Sequence, residues 1–237
     1  MTELRAIIAS STSPPDIIAI NEVKPKNSRY QLQPADHMID GYISFPKNIE
    51  NGIGRGKVIL ASVIINAKPI EVESAFEESL WVEIQLGKQQ DGLLFGCIYR
   101  SPGAGQEDNK NMEELNKFIR KIGDFNLKSI NWVNWNFTNH VKMDFLNACT
   151  DAFLTQNIQE PTRGRLGQQP SLLDLVLTTA DDNIYELEYQ SPLGSSDHSC
   201  LYFKYCCPIK KELTQRTVTL YDKGNYQAMS AELEEKQ

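Results

Sequence analysis

No stretch of this 237-residue chain approaches the roughly 18 consecutive apolar residues that span a bilayer. Its first residues, MTELRAIIASS, lack both a basic lead and an uninterrupted apolar stretch. The sequence therefore reads as soluble and unsecreted. Cysteine offers no framework: the five are odd in number, no CxxC spacing pairs them, and Cys97, Cys200, Cys206 and Cys207 sit in or beside apolar runs. That pattern supports neither zinc nor disulfides and points to buried free thiols. Positive charge is also short. A net charge of −7 argues against a general nucleic-acid coating protein. It does not exclude a metal-dependent nuclease, whose site is acidic and whose basic residues can be local; Lys24, Lys26, Arg29, Lys47, Arg55 and Lys57 form such a local excess. The chain also has no internal repeat and no low-complexity tract.

What is present is enough for one substantial core, with 41% hydrophobic and 23% charged residues. Short apolar runs rich in Ile, Val, Leu and aromatics predict strands: DIIAI (16–20), VILASVII (58–65), LWVEIQL (80–86), LLFGCIY (93–99), SLLDLVLTT (171–179) and CLYFKYCC (200–207). Turn residues separate many of them, and Asp91-Gly92 reads as a hairpin turn between two strands. Helical spacing occurs at Leu4, Ile7 and Ile8, at Leu115, Phe118, Ile119 and Ile122, and at Phe145, Leu146, Cys149, Ala152 and Phe153. Strands outnumber helices, and the mixture suggests an α/β sandwich of two or four layers. After about residue 208 the sequence turns polar and reads as a linker leading into an amphipathic helix.

Several polar residues stand where strands end. Glu22 directly follows DIIAI, a position where open α/β sheets place functional groups; its bland reading is a surface carboxylate in a loop. Tyr99-Arg100 ends another strand, with a strand-end tyrosine and a solvated arginine as the ordinary alternative. Ser196-Asp197-His198 precedes the last strand and reads equally as a turn with a half-buried histidine. Asp174 lies inside LLDLVL, where a carboxylate is costly unless hydrogen-bonded or paired with a cation. Gly123-Asp124-Phe125-Asn126 sets two oxygen-bearing side chains two positions apart.

The ordered set resembles the endonuclease/exonuclease/phosphatase superfamily of metal-dependent phosphoesterases. It is most similar to the apurinic-type endonuclease domain of non-LTR (long interspersed) retrotransposons. PPDIIAINE, GIGRGKVIL, ESLWVEI, GCIYRSPG, GDFNLKSINW, FLTQNIQEPTRGR, SLLDLVLTT and SPLGSSDHSCLYF carry the resemblance over residues 14 to 207 or so. YDKGNYQAM resembles the linker toward the polymerase.

The resemblance implies a four-layer α/β sandwich of two packed mixed sheets flanked by helices, deoxyribonuclease-like and incomplete. It also implies Mg²⁺, with Mn²⁺ as the alternative, held by Glu22 and with Asp197 near the ion. Asp174 and His198 form a carboxylate–imidazole pair in that scheme; Asp124 positions or deprotonates the attacking water, and Asn126 orients it. Tyr99 donates to the phosphate, and Arg100, Arg163 and Ser171 are candidates for backbone contacts. The implied partners are DNA and the reverse transcriptase domain of the parent element, with no membrane and with the nucleus as the expected compartment.

The chain departs from the family in two places. Residues 1–207 lack the usual first strand with its asparagine, because TELRAII already has helical spacing. A strand before residue 123 is also missing, because the helical pattern of Leu115 to Ile122 runs straight into Gly123. Residues 208–237 are the expected linker toward the absent reverse transcriptase. These losses imply impaired or lost activity. A catalytically inactive remnant or DNA-binding scaffold is therefore one alternative, and a phosphatase or phosphodiesterase acting on a small phosphoester is another.

Overall fold

The computed structural model describes residues 1–24, 33–48, 56–86, 92–100, 106–123, 140–165, 167–179 and 183–207. In chain order the elements begin α1 (Thr2–Ser10), β1 (Ile17–Asn21), α2 (Pro34–His37), β2 (Tyr42–Lys47), β3 (Lys57–Ser62), β4 (Asn66–Ile70), β5 (Ser79–Gln85) and β6 (Leu93–Ile98). They continue with α3 (Gln106–Gly123), α4 (His140–Asp151), β7 (Thr155–Gln156), β8 (Leu177–Thr178), β9 (Ile184–Gln190) and β10 (Cys200–Tyr205).

Two three-stranded sheets, ordered β1-β3-β2 and β4-β5-β6, form the centre. Alternation along β3 explains why the first sheet is buried on both sides. Val58 and Leu60 face one way and Ile59 and Ala61 the other, and all four are fully buried. Ile59 and Ala61 meet Leu80, Val82 and Ile84 of β5 and Cys97 of β6, so the two sheets share one apolar layer. Each such side chain contributes on the order of 1.5–3 kcal/mol by leaving water. Val58 and Leu60 instead meet Leu4 of α1, the one buried residue of that helix. On the far side of the second sheet, Trp81 and Ile98 pack against Phe118, Ile119, Ala148 and Ala152 of α3 and α4. Trp81 stands edge-on to Phe118 with ring centroids 5.6 Å apart. The layers are thus α1, sheet, sheet, and the α3–α4 pair.

The four-layer α/β expectation holds, with differences. All ladders among the described residues are antiparallel; the parallel pairing that a mixed sheet requires is not among them. Strands β5 and β6 pair antiparallel, closing at Ile84 opposite Leu93, as the expected hairpin requires; the turn read at Asp91-Gly92 itself is not among the described residues, which omit Asp91. Ile7, read as part of the apolar face of α1, is 47% exposed because Leu4 and Ile8 alone reach the sheet. SLLDLVLTT forms a ladder only at Leu177–Thr178, and Leu172, Leu173 and Leu175 are exposed. Only Cys97 and Cys149 are buried thiols; Cys206, expected inside, is exposed just beyond β10. Helix α3 continues to Gly123, as its spacing predicts. Residues 208–237 lie outside the described residues.

Candidate active site

Glu22 is the first residue past β1, and Tyr99 is the first past β6. These strands belong to different sheets that face one another, so their ends meet. There the Tyr99 hydroxyl donates to Glu22 Oε1, and Cys97 Sγ donates to Asn21 Oδ1 at 3.2 Å. Two side-chain hydrogen bonds therefore tie the sheets together at one edge. Glu22 has φ +57°, in the left-handed region that a residue with a Cβ rarely occupies. Strain of this kind is of order 1–3 kcal/mol and persists where the surroundings hold it.

Beneath the pair lies Lys57, the first residue of β3, whose ammonium stands 5.6 Å from the Tyr99 ring centroid. It is only 2% exposed. Burial pushes the Lys57 pKa down, while the Glu78 carboxylate opposes the shift. Burial likewise pushes the Cys97 thiol up to about 11, which keeps it protonated beside Asn21.

A second constellation is built by three chain segments knitted through Thr162, whose side chain is fully buried. Its carbonyl accepts the Ser199 N–H at 2.7 Å, and its Oγ1 accepts the N–H groups of Leu173 at 3.1 Å and Asp174 at 2.9 Å. The neighbouring Arg163 exchanges backbone hydrogen bonds with Ser171, at 3.0 and 2.9 Å, and also bridges to His198. This network explains why residues 171–176 leave the expected strand: the N–H groups of Ser171, Leu173 and Asp174 go to the 162–163 segment and that of Val176 goes to Gln156 Oε1. Asp174 is accordingly a half-exposed loop residue, where LLDLVL had suggested a carboxylate inside a buried strand.

The knot brings Asp174 Oδ2 within 2.8 Å of His198 Nδ1. A carboxylate oxygen accepts, so Nδ1 is the protonated ring nitrogen and the ring orientation is set through it. Next to this pair, Asp197 Oδ2 accepts from Arg163 Nε at 2.6 Å and from Arg165 Nε at 2.5 Å. The Arg163 hydrogen bond above all, with Arg165 adding to it, holds the Asp197 carboxyl down at about 2.

Of the residues singled out in the sequence, the structure joins Glu22 to Tyr99, Asp174 to His198, and Asp197 to Arg163, with Ser171 bridged through its backbone to Arg163. Arg100 is half-buried beside Tyr99. Asp124 and Asn126 lie outside the described residues. Among the described residues no group of three or more His, Cys, Asp or Glu side chains could hold a metal ion. Lys57, Thr162 and Arg165 were missed as site residues. Lys57 had a signal in its place at the head of the most apolar strand, and Arg165 in the PTRGR block; Thr162 had none, because its role depends on three segments meeting. An apolar cavity of about 200 Å³ between α4 and the β7–β8 ladder is lined by none of these residues.

With this geometry in hand, comparison with known proteins is specific. Residues 93–202 match the family model described as endonuclease-reverse transcriptase. The resemblance read in the sequence blocks is borne out. That stretch carries Tyr99, both members of the Asp174–His198 pair and the Arg163–Asp197 contact, while Glu22 precedes it. The fold is shared with the endonuclease domain of TRAS1, a telomere-specific non-LTR retrotransposon, at a TM-score of 0.57 and 18% identity. The likeness covers 86% of this chain and 91% of that one. No curated protein matches.

Proposed function

We propose that this chain is a metal-dependent endonuclease that hydrolyses DNA phosphodiester bonds, nicking target DNA for retrotransposition. The observation that carries the reading is the 2.8 Å contact between Asp174 and His198, inside the stretch that matches the endonuclease-reverse transcriptase family model. Glu22 and Asp197 offer hard carboxylate oxygens, the donor chemistry that Mg²⁺ or Mn²⁺ takes, and one or two carboxylates suffice for an ion that keeps several waters. When bound, the ion supplies charge neutralisation at the scissile phosphate, worth several kcal/mol of barrier.

The chain's own residues do the positioning. Asp174 fixes the His198 ring through Nδ1, and Nε2 donates to a phosphate oxygen when the ring is the doubly protonated imidazolium. Tyr99 has one hydroxyl proton, donated to Glu22 in the free protein, and gives it to a phosphate oxygen when substrate binds. Asp124 is assigned to position or deprotonate the attacking water, and Asn126 to orient that water and a phosphate oxygen. The water oxygen forms the new bond to phosphorus and passes a proton to Asp124 as the bond to the 3′ oxygen breaks; that oxygen takes a proton from solvent, leaving a 3′-hydroxyl and a 5′-phosphate. That hydroxyl suits priming by the parent element's reverse transcriptase domain, and the nucleus is where the substrate lies.

Nicking of supercoiled plasmid by the purified chain in Mg²⁺ tests the reading, with EDTA and His198→Ala as controls. Nicking that both controls abolish supports it, and its absence from a soluble, monodisperse preparation rejects it. A second reading, a scaffold that binds DNA without cutting, is favoured by one observation: Asp197 is already engaged by two guanidinium groups.

A further inference from the structure

Arg163 and Arg165 converge on a single oxygen, Asp197 Oδ2, and both use Nε to do so. One carboxylate cannot satisfy two guanidinium forks, each of which carries five N–H donors. Both contacts leave the Nη groups out, and among the described residues these make no side-chain hydrogen bond or ion pair. The triad has a net charge of +1 in a chain whose net charge is −7. The Arg165 side chain is 54% exposed and that of Arg163 is 29% exposed, so both can be reached from solvent. Between them, a Cβ built on Gly164 meets nothing within 4 Å, so the backbone joining the arginines faces open space. The backbone at Arg163 is pinned on both sides, to Ser171 and to His198. The forks are thus held near their working positions before any ligand arrives, which lowers the ordering cost of binding.

We infer that Arg163 and Arg165 together form a binding site for a DNA backbone phosphate, that Asp197 occupies this site in the free protein, and that an arriving phosphate displaces the carboxylate. The inference rests on the proposed DNA substrate and adds Arg165 and the exchange. A phosphate offers several acceptor oxygens to the two forks, where Asp197 uses one. The displaced carboxylate is the one proposed to serve the metal, so DNA arrival and metal binding support one another. Neither the second arginine nor this coupling is needed for the nuclease reading to hold.

The test is duplex-DNA binding by the full chain in EDTA, read by fluorescence anisotropy across a salt series, so that no cleavage is required. Each phosphate contact adds about 0.9 to the slope of log affinity against log salt. Arg165→Gln should reduce that slope by about 1 and weaken binding about tenfold at low salt. Asp197→Asn should tighten binding, because the competitor for the forks is gone. That tightening should vanish in the Arg163→Gln/Arg165→Gln background; general relief of repulsion would survive there. Arg165→Gln alone keeps the test decisive if the Arg163 variant fails to fold.

Absence of binding by the unaltered chain, an unchanged slope in Arg165→Gln, or equal tightening in both backgrounds would each overturn the inference. Inorganic phosphate at the concentration of DNA phosphate serves as a competitor, and it should displace DNA only weakly if a backbone phosphodiester in its duplex setting is the ligand. Displacement as strong as that by unlabelled DNA assigns the site to free phosphate and also overturns the inference. A chain that passes these measurements but does not nick plasmid leaves the arginine site standing and removes the nuclease reading.

Discussion

Thr162 Oγ1 accepts the Asp174 backbone N–H at 2.9 Å, so the carboxylate that orients His198 is itself held by a fully buried hydroxyl twelve residues upstream. The same oxygen takes the Leu173 N–H. Thr162→Val keeps the shape of the side chain and leaves two amides without their acceptor, a loss of about 1–3 kcal/mol. Thr162→Ser keeps the oxygen and should lose much less. Urea unfolding of the two variants checks this, and equal midpoints would show that the hydroxyl is not the anchor.

Acid should act through Asp197. Its carboxyl is held at about 2 against an ordinary value of 3.8, so the folded state favours the ionised form. The stabilisation is therefore fully present above pH 3.8 and is lost as pH falls toward 2. Other carboxylates titrate in the same window, so the measurement is a difference: the urea midpoint of the unaltered chain should fall more steeply over that range than that of Asp197→Asn. Parallel pH profiles would mean that the two arginines do not favour the ionised carboxylate in solution.

Gly96 marks a place where the second sheet and the α3–α4 layer leave no room. A Cβ there would lie 2.1 Å from Trp81 Cζ3, and that ring is lodged edge-on against Phe118. Gly96→Ala should cost about 1–3 kcal/mol by overpacking. Gly92→Ala is the milder comparison: its Cβ would meet Glu83 Oε1 at 2.6 Å, Cγ at 2.7 Å and Cδ at 3.0 Å, but this flexible, half-buried side chain can change rotamer where the lodged Trp81 ring cannot, so the cost should be smaller than at Gly96. Thermal unfolding of both variants decides.

Four of the strands that sequence reveals, DIIAI, VILAS, LWVEIQ and LLFGCI, pack in the two central sheets, and the fifth, CLYFKY, is a half-buried partner of β9 legible from its apolar run alone. Less legible were β2 and β4, whose proline and polar residues weaken the apolar signal. Pro46 and Pro69 sit in strands at the sheet margins, where a missing N–H is tolerated. Strand β9 is interrupted by Glu186 at φ +52°, beside the register shift at Tyr202/Lys204, so its alternation breaks midway. At the site, the residues that end strands were legible because position along a strand is a local property. The roles of Thr162 and Lys57 were not, since both arise from segments far apart in sequence.

Each described carboxylate at the site already has a protein donor: Tyr99 for Glu22, His198 for Asp174, and the two arginines for Asp197. Lys57 adds a buried ammonium beneath Tyr99. Acidic groups balanced in this way do not push apart when no ion is near, unlike ligand sets that collapse without their metal. On the proposed metal-dependent reading, the ion would be a visitor to an architecture held by protein donors, and chelation would silence the protein without dismantling it.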